Sequence, residues 1–103
     1  MSWFRTIPEA SVEEAHGRPA GAVLLDVRED DEWAAGHATG AVHVPMGRLT
    51  PDRLPEGRPV YVICRSGNRS GRVVEILTAA GVDARNVRGG MIAWERSGLP
   101  VVA

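Results

Sequence analysis

The chain's only cysteine, Cys64, stands in "YVICRSGNRSGRVVEIL" (residues 61–77), where an apolar run ends in a turn of arginine, serine, glycine and asparagine. One cysteine forms neither an internal disulfide nor a multi-cysteine metal site, which leaves three roles: a buried small hydrophobe, an intermolecular partner or a reactive thiol. The third requires a lowered pKa, because a free thiol with a pKa of about 8.5 is mostly protonated at neutral pH. The residues after Cys64 can supply that. The backbone N–H groups of a tight loop, the positive end of a helix starting near Ser70 and the guanidinium groups of Arg65 and Arg69 would all favour a thiolate or an anionic adduct. Gly67 and Asn68 tolerate the positive φ that such a curled loop demands.

Two elements must hold that loop. "PVYVIC" (59–64) is continuously apolar, as are "AVLLDV" (22–27) and "AVHVP" (41–45), which suits strands of a parallel sheet covered on both faces. "SGRVVEILTAAG" follows the loop as a helix closing at Gly81, with Val73, Ile76, Leu77 and Ala80 on one stripe. "REDDEWAAGH" predicts a second helix, opened by acidic residues and stopped by Gly36. Towards the N-terminus, "FRTI" (4–7) predicts a short strand and "PEASVEEAHG" a helix opening on Pro8 or Ser11. "ARNV" (84–87) predicts a strand and "GMIAWERSG" a final helix. The alternation points to one α/β domain over residues 1–103: an open, mostly parallel five-stranded sheet with helices on both faces. Ligand sites in such sheets lie beyond the carboxyl ends of the strands, where Cys64 sits.

Composition narrows the function. A length of 103 residues allows one modest core. The formal charge of -1 argues against a nucleic-acid partner. No apolar run approaches the roughly 20 residues that span a bilayer, and "MSWFRTIPEASVEEAHG" lacks the marks of a secretory signal, so the expected location is cytoplasmic. All 12 basic residues are arginine, and residues 57–74 hold Arg58, Arg65, Arg69 and Arg72 without any Asp or Glu, a local attractor for anions. Neither a Walker-type loop nor a GxGxxG turn is present.

Three segments in order resemble the rhodanese family, over essentially the full chain. "LLDVREDDEWAAGHATGAVHVP" is similar to the family's N-terminal signature through Asp26, Val27, Arg28, Glu32, Trp33, Gly36, His37, Gly40, Ala41 and Pro45. "YVICRSGNRS" resembles its active-site loop, and "VRGGMIAW" its C-terminal signature through Gly89, Gly90, Met91, Ala93 and Trp94. Ala38 stands where the family more often has a larger aliphatic residue. The resemblance implies a thiosulfate sulfurtransferase in which Cys64 attacks the outer sulfur of a small anionic donor and carries it as a persulfide. Cyanide or an acceptor thiol, such as thioredoxin or a sulfur-relay protein, then removes it. Residues Arg65, Ser66, Gly67, Asn68, Arg69 and Ser70 would cradle and orient the donor, and no metal, flavin or nucleotide is needed. Phosphatases and arsenate reductases of this fold use a loop one residue longer, with arginine at the sixth position after the cysteine. Here Ser70 is sixth and Arg69 fifth, which favours sulfur over phosphate.

Plainer roles suit the neighbouring residues. Asp26 and Arg28 at the end of a strand are expected to lock a loop, and His37 to hold the turn into the next strand, so these three form a scaffold for the site. A cysteine–histidine dyad would require His37 beside Cys64. Arg72 suits a solvated face, His16 and His43 have no catalytic context, Trp33 and Trp94 are expected in the core, and Trp3 is expected to be exposed or packed over a neighbour. The remaining alternative is a rhodanese-fold binding or regulatory module without turnover; the retained Cys64 and intact loop count against it.

Overall fold

Strand residues that alternate between two faces need apolar cover on both, and the apolar runs satisfy this by building the middle of a parallel sheet. The computed structural model describes residues 6–103. Its elements are β1 (Glu9–Ala10), α1 (Val12–His16), β2 (Val23–Asp26), α2 (Asp30–Ala35), β3 (His37–Ala38), β4 (Val42–His43), β5 (Val60–Ile63), α3 (Asn68–Ala79), β6 (Ala84–Val87), α4 (Gly90–Arg96) and β7 (Val101–Val102). Five strands form a parallel sheet in the order β1-β6-β5-β2-β4. β3 and β7 pair antiparallel as a separate two-stranded ribbon, which the apolar pattern did not predict.

The period of two sorts the core. Leu24, Tyr61 and Ile63 face one side with Trp94, Met91 and Val12, beneath α1 and α4. Val23, Leu25, Val60 and Val62 face the other with Val73 and Val74 of α3, and Cys64 continues that second face past the end of β5. The helices therefore do cover both faces, and the thiol is placed under α3 by strand alternation.

Several elements differ from expectation. The first strand falls at Glu9–Ala10, where it pairs with Asn86–Val87 of β6, and Thr6 and Ile7 are not strand; residues 4 and 5, and Trp3, lie outside the described residues. Helix α1 opens on Ser11, whose hydroxyl accepts from the Glu14 N–H while the Glu14 carboxylate accepts from the Ser11 N–H, both at 3.0 Å. Helix α3 begins at Asn68, two residues earlier than the apolar stripe implied, because Gly67 adopts φ 104° and turns the chain straight into it. Its buried stripe is Ser70, Val73 and Val74; Ile76 is 68% exposed and Ala80 is exposed too. Those two residues instead border an open apolar groove of about 280 Å³ that Met46, Leu49 and Leu54 close from the opposite side.

Candidate functional site

The segment after β5 encloses the Cys64 sulfur. The Gly67 N–H points at Sγ over 3.1 Å and the Ser70 hydroxyl lies 3.2 Å from it. Cys64 is 1% exposed. Burial pushes its thiol pKa up; the Ser70 hydroxyl and the backbone N–H groups of Ser70, Gly67 and Ser66 push it down and prevail, leaving it below the ordinary thiol value. The cysteine is thus buried, as one of its plainer roles required, yet it is surrounded by donors rather than by carbon alone.

N–H groups can converge on the sulfur only if the loop's carbonyls point elsewhere, and α4 provides for that. The Cys64 and Arg65 carbonyls accept from the N–H groups of Met91 (2.9 Å) and Ile92 (3.1 Å) in the first turn of α4. Gly90 makes this approach possible. A Cβ there would collide with the Cys64 carbonyl oxygen and stand 2.5 Å from that of Arg65, and the residue's φ of 55° disfavours any side chain. Gly90 of "VRGG" therefore serves the cysteine loop itself, whereas a Cβ on Gly89 would meet Ala93 of α4.

Ser70 and Gly67 share a further partner. The Ser70 hydroxyl is 2.6 Å from Asn86 Oδ1, while Asn86 Nδ2 donates to the Gly67 carbonyl over 3.1 Å. Asn86 is 5% exposed, in the middle of β6. Sequence reasoning missed it, although an asparagine inside a buried strand is a signal in its own right, since that residue type is depleted there.

Arg69 has a partner that its spacing did not announce. Its guanidinium grips Glu32 of α2 through two bonds of 2.6 and 2.9 Å. This pairing holds the Glu32 carboxyl at about 2, well below the usual range, and raises the Arg69 pKa. The Cys64 sulfur adds a smaller upward push on Arg69, so the pair stands within electrostatic reach of the thiol. Arg65, Ser66 and Asn68 are exposed around the mouth of the loop, and Arg72 is exposed one turn further along α3.

The residues of the first signature lie to the side. Asp26 accepts from the Arg28 backbone N–H and twice from its Nε, all at 3.0 Å, and from its Nη2 at 2.8 Å; Arg28 also donates to the Gly36 carbonyl at 2.8 Å. That network ties the end of β2 to the end of α2. His37 Nδ1 bonds the Trp33 carbonyl at 2.9 Å, and no hydrogen bond joins His37 to Cys64. Trp33 is half-buried, not core: its ring is stacked between those of His37 and His43, with centroids 3.5 and 4.6 Å away. Trp94 is fully buried, with its indole N–H donated to the Pro100 carbonyl. Among the described residues no group of three or more His, Cys, Asp and Glu side chains is placed to hold a metal, and no helix is long and apolar enough to cross a membrane.

The geometry thus presents a thiol in the four-residue turn between a parallel strand and a helix, with N–H groups turned towards its sulfur, and the family model for the rhodanese-like domain matches residues 10–97. The chain belongs to the rhodanese-like family. It is 38% identical over 99 residues to the putative sulfurtransferase YtwF of Bacillus subtilis, covering 94% of this chain and 96% of that one. It is 42% identical over 83 residues to the uncharacterized protein slr1261 of Synechocystis, covering 78% of this chain but only 46% of the relative. Among solved structures, a rhodanese-related protein from Thermoplasma volcanium superimposes with a TM-score of 0.83 at 30% identity, over 92% of this chain and 97% of the other.

Proposed function

We propose that this rhodanese-like domain is a sulfurtransferase that moves a sulfane sulfur from a small anionic donor, such as thiosulfate, to a nucleophilic acceptor through a persulfide on Cys64. The observation that carries the reading is the convergence of the Gly67 N–H and the Ser70 hydroxyl on Sγ, at 3.1 and 3.2 Å. The Cys64 thiolate attacks the outer sulfur of thiosulfate. A new S–S bond forms, the original one breaks, and sulfite departs with its electron pair. An acceptor nucleophile, cyanide or a thiolate, then attacks the outer persulfide sulfur and the Cys64 thiolate leaves. Loop N–H groups stabilise the sulfur charge at both stages without reorganising.

Arg65, exposed at the loop mouth, is the side chain best placed to draw in the donor's sulfonate; Arg69 contributes its field while held by Glu32. A thiol acceptor could be thioredoxin or a sulfur-relay protein. Steady-state formation of thiocyanate from thiosulfate and cyanide tests the reading. Turnover by the native protein and none by Cys64→Ser supports it, and hydrolysis of an aryl phosphate in preference to thiosulfate turnover contradicts it.

A further inference from the structure

The Ser70 hydroxyl faces two acceptors, one oxygen and one sulfur, but has a single proton. One is Cys64 Sγ at 3.2 Å and the other is Asn86 Oδ1 at 2.6 Å. The orientation of the Asn86 amide is settled independently: the Gly67 carbonyl only accepts, so the group 3.1 Å from it must be the NH₂, and Oδ1 is left facing Ser70. We propose that Asn86 is a positioning residue for Cys64, acting through Ser70: its fixed amide oxygen competes with Sγ for the Ser70 proton.

The consequences follow from counting donors. With Cys64 as the thiol, S–H donates to Ser70 Oγ and Ser70 O–H donates to Oδ1, so every group is satisfied. With Cys64 as the thiolate, the hydroxyl turns to Sγ, and Oδ1 then confronts the Ser70 lone pairs at 2.6 Å with no donor between them. In a persulfide the charge sits on the outer sulfur, and the proton returns to Asn86. Asn86 therefore favours the two states in which Sγ is uncharged, and offsets part of the lowering that the loop donors impose on the thiol pKa. A thiolate whose pKa is lowered less is the stronger nucleophile.

The charged groups around the pocket are separate from this device. They are Arg65 in the loop, the Arg69–Glu32 pair between α3 and α2, and the Asp26–Arg28 pair at the end of β2; Arg88, just after β6, lies near Glu14. Removal of the Asn86 side chain also leaves the Gly67 carbonyl partnered, because it accepts from the Gly71 N–H at 3.0 Å.

The inference rests on Cys64 being the nucleophile, as in the function proposed above, but the rate of Cys64 alkylation by iodoacetamide against pH reads the thiol itself. A chain that transfers no sulfur could still pass. Asn86→Ala is expected to lower the thiol pKa by about half a unit to one unit, the scale of one net hydrogen bond. Ser70→Ala is expected to raise it, and adding Asn86→Ala to Ser70→Ala is expected to change nothing further. A shift of the same size in both backgrounds, or none in either, overturns the proposal. Should Asn86→Ala fail to fold by circular dichroism, Asn86→Leu removes the amide oxygen while filling its space and is expected to give the same fall, again only with Ser70 present. An equal fall in the two backgrounds, or none in either, would likewise overturn it.

Discussion

Two arginine–carboxylate pairs stand near the ends of the strands, alike in chemistry and opposite in exposure. In the Asp26–Arg28 pair the side chains are 0% and 7% exposed, whereas in Glu32–Arg69 they are 25% and 32% exposed. The first pair is taken out of water and bonded on every side, so its geometry is fixed once the chain folds. The second keeps water at its edge and spans from α2 to the helix that begins at the cysteine loop. The same two functional groups thus build a frame in one place and an adjustable electrostatic contact in the other. Burial separates the two roles, since a charge left alone costs far more inside the protein than at its surface.

Removing one partner from each pair should expose that difference. Arg28→Ala leaves the Asp26 carboxylate buried and uncompensated and is expected to cost about 3–5 kcal/mol, seen as a fall in Tm of about 12 °C or more in a domain of this size. A loss of only a degree or two would show that Asp26 reaches water. Glu32→Gln is expected to cost no more than about 1 kcal/mol. Its effect belongs to the site instead: with Arg69 no longer neutralised, KM for thiosulfate should fall by up to about fivefold. A rise in KM would mean that Glu32 aims the guanidinium rather than masking it.

The smallest expected effect is on acid stability. The Glu32 carboxyl is lowered from 4.5 to about 2 by its bond to Arg69. A depressed carboxylate contributes stability that is fully present above pH 4.5 and is lost as pH falls towards 2. The Tm difference between native protein and Glu32→Gln should therefore be constant above pH 4.5 and shrink below it. The partial exposure of the pair limits the change to less than about 1 kcal/mol.

How far the sequence revealed this arrangement depended on whether a residue's role is local. The strands β2 and β5 were legible because short apolar runs bounded by turn residues suit strands covered on both faces, and the end of β5 placed Cys64 at a site before any resemblance was invoked. The β3–β7 ribbon was not legible, since two-residue strands carry no period to read. Ile76 looked like core because helical spacing shows which residues share a face, not whether the far edge of that face is covered; here it borders an open groove. Trp33 was misplaced for a similar reason, its ring being covered by two histidines rather than by the core.

Within the site, the loop from Cys64 to Ser70 could be read residue by residue because its chemistry is contained in seven consecutive positions. The partners that govern it come from elsewhere in the chain. Glu32 lies 37 residues from Arg69, and Asn86 lies 16 residues from Ser70. Only the parallel register of β5 with β6, which sets Val62 opposite Asn86, brings the latter beneath the loop. Gly90 is a similar case: its sequence context marked it as part of a signature, but its purpose, the close passage of α4 across the Cys64 carbonyl, emerges only in three dimensions.

The central claim is that Cys64 carries sulfur, and intact-mass analysis after incubation with thiosulfate and removal of excess donor tests it most directly. The native protein should gain a single sulfur atom, about 32 Da. That increment should disappear on addition of cyanide or a thiol and be absent from Cys64→Ser. An unmodified native mass, or an equal increment on Cys64→Ser, would contradict the account.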